Sequence, residues 1–405
     1  MDEHKEENTE DMDITRIFEP DQEKLSEQKK YANARDLSTQ YENIISRQNV
    51  AWDQEYRLKK VLGSGGQGTV MLAERSGAFN VSFDLALKFF RPDGYYDIEM
   101  YRSEMARLAE VTMDVSKIQQ DHILDVYNVI EYEGILVLVT EWVDGIDLRQ
   151  LVAPSVLKLL KSNVKSDRWA YINDVVMTDA GFQSRMLPSM VLAILRECIA
   201  GLSALHRQNV IHADMKPANV MVKQTGNCKI IDLGSSFLKQ TPPRRPTWTW
   251  RYAPVEVLKG AEHTFLSDLA SLGYVALELL SGKIPFVGVS DRNELIQLKE
   301  DTWHRIPDIL PKDVARNSKI VEMLSKMIAP DPADRFSSLE DADFHDSGAA
   351  AIERQLVKVD MDTVVSNDLR VLLQDLHEAR LAESAAWMSL NPYFRYNLTK
   401  TLLKV

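Results

Sequence analysis

The segment HADMKPANVMVKQTGNCKIIDLG, residues 212–234, constrains the fold more than any other stretch of the chain. Val220–Val222 and Cys228–Ile231 are short apolar runs joined by the polar sequence KQTGN, a pattern that predicts a β-hairpin. Closing that hairpin brings Asn219, just before the first run, close to Asp232, just after the second. An amide oxygen and a carboxylate converging from two strand ends suit Mg²⁺, which prefers oxygen ligands and keeps some of its waters. Asp214, in the same loop as Asn219, can then face an incoming hydroxyl as a base, and Lys216 can meet a phosphate. Each Asp taken singly reads equally well as a turn or cap residue. Together the four point to phosphoryl transfer, which needs held phosphates, a held metal ion and a base more than it needs covalent chemistry.

Two further parts precede this segment. In LGSGGQGTV, Gly63, Gly65 and Gly68 lie between two β-like runs, where missing side chains let backbone N–H groups approach phosphate oxygens. A glycine-rich hairpin turn is the competing reading. In DLALKFF, alternation along a strand places Ala86, Lys88 and Phe90 on one face and Leu87 and Phe89 on the other. An unpaired ammonium in so apolar a strand is costly. Glu104, on the following helical stretch, is the best-placed counter-charge, although Lys88 could also snorkel from an edge and Glu104 could be a solvated helix residue.

The surrounding chain reads as a small β-rich unit with one helix, from Tyr56, followed by a larger helical unit after Asp144. Residues 1–13 are too charged to bury a core and read as disordered, and residues 14–51 as one or two surface helices. Residues 153–188 look like an insertion with some helix of its own, and two tail helices follow Phe344. The formal charge of −12 argues against coating nucleic acid or anionic membrane, because such binding needs clustered Lys and Arg. The acidic N-terminus has no secretory-signal pattern, and no uninterrupted apolar run approaches the ~18 residues of a spanning helix. Cys198 and Cys228 are too few for a disulfide framework. A soluble, cytoplasmic protein without membrane insertion is the expectation.

In their order along the chain these residues resemble the protein-kinase signature, over about residues 56–345. The resemblance implies an α+β, bilobal protein-kinase fold. Its boundaries are an N-terminal extension 1–55, an N-lobe 56–143, a C-lobe 144–345 with the insertion 153–188, and a helical tail 346–405. Gly63, Gly65 and Gly68 are similar to the glycine-rich loop, Lys88 to the strand lysine and Glu104 to its helix partner. Asp214 resembles the catalytic base, and Asn219 and Asp232 the metal ligands. Lys216 resembles the serine/threonine branch. Thr249 looks like the threonine of the substrate-docking loop, and YAPVE, ending at Glu256, like the end of the activation segment. Asp268 is similar to the aspartate that anchors the catalytic loop, and Arg335 to the arginine that pairs with Glu256. By the same carry-over, Thr140 is the gatekeeper, Glu141 to Val143 the adenine hinge and Asp147 the ribose contact, while Val70, Ala86 and Met221 sandwich the ring. Implied cofactors are ATP and Mg²⁺, or Mn²⁺ in its place.

Departures from that pattern set further expectations. His212-Ala213-Asp214 lacks the arginine that commonly receives an activation-loop phosphate, so activity is expected not to depend on a single such phosphate. Gly66 and Gln67 stand where an aromatic residue is usual, so the flap is expected to be more mobile and nucleotide less tightly held. Leu233 replaces the common Phe and leaves the metal ligand untouched. Arg244, Arg245 and Arg251 suit an acidic or phosphorylated protein substrate, or else pair with the protein's own carboxylates. The flanking helices could recruit a regulatory protein. The alternatives are a nucleotide-binding pseudokinase or scaffold, and a small-molecule kinase, which would lack the docking segment around Thr249.

Overall fold

In the computed structural model the described residues are 16–17, 27–51, 55–77, 79, 81–243, 247–357 and 365–390. Strand β1 (Arg16–Ile17) is followed by helix α1 (Glu27–Ile45). Strands β2 (Asn49–Ala51), β3 (Glu55–Gly65), β4 (Gly68–Ser76), β5 (Ser82–Phe90), β6 (Val126–Tyr132) and β7 (Ile135–Glu141) form one sheet in the order β2-β3-β4-β5-β7-β6. Every neighbouring pair in it is antiparallel. Helix α2 (Ile98–Val115) starts at an Asp97 cap and packs Tyr101, Met105, Leu108 and Val111 inward. This is the smaller lobe, and its core joins Tyr101, Met105 and Leu108 to Leu85, Leu87, Phe89 and Val137 of the sheet, whereas Val111 packs into the core of the larger lobe.

The extension before residue 55 belongs partly to that core, where the sequence suggested surface helices. Leu37, Tyr41 and Ile44 of α1 are buried in it, at a spacing of four and three residues that stacks them on one helix face. The Tyr41 hydroxyl donates to Thr69 Oγ1 at 2.6 Å, which fixes α1 against the root of the glycine-rich turn. β1 pairs antiparallel with a strand of the other lobe, β15, described next.

The larger lobe begins with β8 (Gly145–Asp147), α3 (Leu148–Leu151), α4 (Pro154–Asn163), α5 (Ser166–Tyr171), β9 (Met177–Asp179), β10 (Ser184–Met186) and α6 (Pro188–Arg207). Next come β11 (Val210–Ile211), β12 (Val220–Lys223), β13 (Cys228–Ile230), β14 (Phe237–Leu238), β15 (Thr247–Trp248) and α7 (Val255–Leu258). The chain continues through α8 (Phe265–Ser281), α9 (Arg292–His304), α10 (Ile306–Ile309), α11 (Lys312–Ala315), α12 (Ser318–Met327) and α13 (Leu339–Phe344). It ends in α14 (Ala349–Val357) and α15 (Val365–Leu390). Helix α6 is long and apolar enough by composition to cross a membrane, but here most of it is buried in the centre of the lobe. Helix α8 starts at a Thr264–Ser267 capping box and is buried along nearly its whole length, which seats Asp268 in its first turn inside the protein.

The stretch 153–188 holds α4 and α5, as its composition suggested, and also the β9–β10 hairpin, which was not expected. α15 lies against this region: Arg168 Nε donates to Asp375 at 2.7 Å and Tyr171 Oη to Asp368 at 2.8 Å. Both cysteines are free and buried.

Candidate active site

The hairpin forms as its sequence suggests. Val220 faces Ile230 and Val222 faces Cys228 across β12–β13, and the Ile231 N–H donates to Asn219 O at 2.9 Å. That bond sets Asn219 beside Asp232. Asn219 Nδ2 donates to the Asp214 backbone oxygen at 2.7 Å and to Asp214 Oδ2 at 3.3 Å. Lys216 Nζ lies 3.0 Å from Asp214 Oδ2 and donates to Thr249 Oγ1 at 3.0 Å, while the Thr249 N–H donates to Asp214 Oδ1 at 2.8 Å. Asp214, Lys216, Asn219 and Thr249 therefore form one buried polar cluster whose members fix one another's rotamers.

Asp268 holds this loop from below. Its Oδ1 accepts the Ala213 N–H at 2.8 Å, its Oδ2 accepts the His212 N–H at 2.9 Å, and His206 Nε2 lies 2.9 Å from Oδ2. Ala213 has φ +65°, a left-handed conformation that costs a residue with a Cβ roughly 1–2 kcal/mol. The two amide bonds hold it there. Burial pushes the Asp268 carboxyl up, but the bond and charge of His206 together with His212 more than offset this and leave it below its ordinary value.

The upper wall comes from the sheet. Val70 pairs with Lys88, and Ala86 lies between Leu72 and Thr140, so strand register puts Val70, Ala86, Lys88 and Thr140 on one face. Met221 and Asp147 are partners across β12–β8 and form the facing wall. The Asp147 carboxylate caps α3 by accepting the Gln150 N–H at 2.9 Å, a use that the ribose assignment did not foresee. The Thr140 hydroxyl donates to Glu141 O at 3.0 Å. Glu141 ties the hinge to the lower lobe, since its carboxylate accepts from the Asp125 N–H at 2.7 Å and pairs with Lys229 of β13. Val143 is buried at the end of the hinge.

The three glycines differ in what requires them. A Cβ on Gly68, where φ is +152°, would lie 1.9 Å from Phe89 O, so its own fold excludes a side chain. A Cβ on Gly63 or Gly65 meets nothing within 4 Å. Packing within the protein does not account for those two, whereas approach to a ligand would.

One expected contact is absent. Lys88 does not pair with Glu104: its Nζ donates to Asp232 Oδ1 at 2.6 Å and to Gln67 Oε1 at 3.0 Å. Glu104 is taken instead by Arg107, one turn along α2, at 3.0 Å, and Arg107 also donates to the Ser236 carbonyl at 3.1 Å. A cavity of 340 Å³ lies beside this pair, between α2 on one side and Gly234, Ser235, Pro243 and Thr247 on the other, with Tyr95, Glu104 and Arg107 also in its lining. The flap is also tied rather than loose, because Gln67 Nε2 donates to Ser235 Oγ at 2.8 Å. Burial raises the Asp232 carboxyl, and the charge and bond of Lys88, helped by the Gly234 N–H and Lys216, bring it below its ordinary value.

Comparison with known proteins then decides the family, since the model of the protein kinase domain matches residues 56–345. The chain belongs to the protein kinase domain family. It is similar to the serine/threonine-protein kinase PrkC of Bacillus subtilis, 25% identical over 293 residues, which are 71% of this chain and 39% of that protein. It is 27% identical over 310 residues to the serine/threonine-protein kinases drp72 of Corynebacterium efficiens, covering 74% of this chain and 52% of that one. The serine/threonine-protein kinase max-2 of Caenorhabditis elegans matches over 200 residues at 25% identity, 48% of this chain and 30% of its own length. The chain thus spans between about a third and a half of the curated relatives it matches.

The kinase domain also assembles the segment around Thr249. Arg335 makes a buried fork with Glu256, Nη1 to Oε1 at 2.8 Å and Nη2 to Oε2 at 2.6 Å, and its other donors reach the Ala329 and Leu266 carbonyls, each at 2.8 Å. Tyr252 Oη donates to buried Glu278 at 2.7 Å, and Gln183 from the insertion donates to the same carboxylate at 3.1 Å. Lys299 of α9 is fully buried, donates to Arg251 O at 2.7 Å and sits 3.7 Å from the Tyr274 ring centre. Burial in this aromatic setting, with Arg251 nearby, lowers its pKa well below the usual lysine value despite Glu256. Leu233 packs into the core of the larger lobe, as its apolar character implies. Arg244 and Arg245 lie outside the described residues; Arg251 is half-buried.

Sequence reasoning missed Arg107, Gln183 and Lys299, and it read Gln67 as loosening the flap that its side chain ties. Only Arg107 carried a local signal, its i,i+3 spacing from Glu104.

Proposed function

We propose that this kinase domain is an active serine/threonine protein kinase that moves the γ-phosphoryl group of ATP to a protein hydroxyl with Mg²⁺, or Mn²⁺ in its place. The observation that carries the reading is the mutual bonding of Asp214, Lys216, Asn219 and Thr249 within one buried cluster, with Asp232 beside Asn219. Asn219 uses its nitrogen on Asp214, which leaves Oδ1 for a cation, and Asp232 uses Oδ1 on Lys88 and the Gly234 N–H, which leaves Oδ2. Two hard oxygens at adjacent strand ends fit Mg²⁺. The ion would neutralise charge on the phosphate oxygens.

In this reading Asp214 orients the acceptor hydroxyl and takes its proton as the new oxygen–phosphorus bond forms and the bond to the β-phosphate oxygen breaks. Lys216 meets the transferring group and Lys88 the α- and β-phosphates. Glu104 comes to Lys88 only if it leaves Arg107. Val70, Ala86 and Met221 enclose adenine beside Thr140 and the 141–143 hinge, and Asp147 reaches the ribose.

Independence from a single activation-loop phosphate follows from Ala213, which has no charge to receive one. A substrate acidic or phosphorylated near its acceptor would suit the arginines around residue 250, and a regulatory protein could dock on the flanking helices. Two free buried thiols accord with a reducing, cytoplasmic compartment. The pseudokinase reading is favoured by one observation, that Lys88 pairs with Asp232 and Glu104 with Arg107 rather than with each other.

Mass-spectrometric mapping of phosphosites, after host lysate is incubated with Mg-ATP and either the native protein or Asp214→Asn, tests the proposal. New phosphoserines and phosphothreonines only with the native protein are expected. Identical site lists from both proteins would favour the scaffold.

A further inference from the structure

We infer that Gln67 is an internal competitor for the nucleotide's phosphates: its amide occupies Lys88 and bolts the glycine-rich turn to Ser235 and Thr247, so nucleotide binds only after displacing it. The inference rests on the reading of the cleft as an ATP site and adds a residue that sets its affinity.

Gln67 sits in the two-residue turn between β3 and β4, where Gly65 pairs with Gly68. A carbonyl oxygen has to face the ammonium, because lysine only donates. Oε1 accordingly accepts from Lys88 Nζ at 3.0 Å, and Nε2 donates to Ser235 Oγ at 2.8 Å and lies 3.4 Å from Thr247 Oγ1. The hydroxyls of Ser235 and Thr247 are 2.9 Å apart, so the amide closes a continuous network from Lys88 to the activation segment. The backbone takes part as well, the Arg91 N–H donating to Gln67 O at 2.9 Å.

Space for the plug depends on Gly234. A Cβ there would come within 2.1 Å of Gln67 Oε1 and 2.7 Å of Lys88 Nζ. The amide oxygen therefore lies on the ammonium that the proposed mechanism gives to phosphate oxygens. A phosphate makes the stronger, charge-assisted bond to Lys88, so nucleotide wins the contest, but against the bonds it breaks. Adenine and ribose meet none of these groups, so the competition acts at the phosphate end alone.

The test uses the full chain and isothermal titration with Mg-ADP and, separately, adenosine. Gln67→Ala removes two good side-chain bonds, one of them to a charged group, and is expected to tighten Mg-ADP by about ten-fold. Gln67→Glu puts a carboxylate on Lys88 and should weaken Mg-ADP by a similar factor. Adenosine affinity is expected to stay the same in all three proteins. Unchanged or weaker Mg-ADP binding by Gln67→Ala overturns the inference, and so does an equal gain for adenosine, which would place the effect away from the phosphates. A native protein that binds neither ligand would sink the ATP reading itself, a result distinguishable from failure of the Gln67 inference alone.

Discussion

Replacing Asp268 by Asn keeps the side chain's size and removes its charge. The native carboxylate, with no exposed surface, accepts the N–H groups of His212 and Ala213 and lies against His206. Asn offers one acceptor oxygen, and its amide turns N–H toward donors. At least one buried backbone N–H loses a charge-assisted bond, a loss of about 3 kcal/mol once its desolvation is included. The strain stored at Ala213 is then no longer held, and Asp214, the next residue, shifts with the loop. At 2–4 °C per kcal/mol, melting should fall by about 10 °C at pH 7. A displacement near 1 Å at Asp214, the proposed base, would lower kcat by about 100-fold.

The pH dependence follows from the same carboxyl. In the folded protein Asp268 titrates below its ordinary value of 3.8, so its stabilisation is fully present above that value and is lost as pH falls through the folded one. Melting temperature should therefore drop more steeply below about pH 4 for the native protein than for Asp268→Asn. Scanning calorimetry across pH, with steady-state phosphotransfer at neutral pH, measures both effects. A variant that melts within about 2 °C of native, with kcat within about two-fold, would refute the claim that this residue holds the loop.

Ile44→Ala, at a fully buried position of α1, is expected to destabilise the protein by about 2–5 kcal/mol, read by chemical unfolding; a change near zero would mean that α1 does not pack on the sheet in solution. Deleting residues 1–26 removes β1 from β15, next to Thr249 and hence next to Asp214. A lower KM for protein substrate with an unchanged KM for ATP is expected, and equal values for both proteins would show that β1 does not cover the acceptor site.

The buried polar cluster was legible because a short hairpin converts sequence spacing into spatial position: with Val220 opposite Ile230, Asn219 and Asp232 have little choice about where they lie. Thr249, Glu256 and Arg335 were legible only through resemblance, since their partners are remote in sequence. The Lys88–Glu104 pair failed for a physical reason. Glu104 is taken by Arg107, and whether it meets Lys88 or Arg107 depends on how α2 is set against Ser236 and its neighbours, which sequence spacing does not encode. α1 was misjudged despite a readable signal, because Leu37, Tyr41 and Ile44 already share a face. Gln67 gave none; a polar residue in a glycine turn is ordinary until the fold lays Lys88 and Ser235 beside it.

Transfer of labelled γ-phosphate from Mg-ATP to a generic protein acceptor, measured for the native protein and for Asp214→Asn purified in parallel, probes the proposed chemistry most directly. Label on serine and threonine with the native protein, reduced to background by the substitution, is the expected result. Equal incorporation by the two proteins would contradict the assignment of the buried cluster as the centre of phosphoryl transfer.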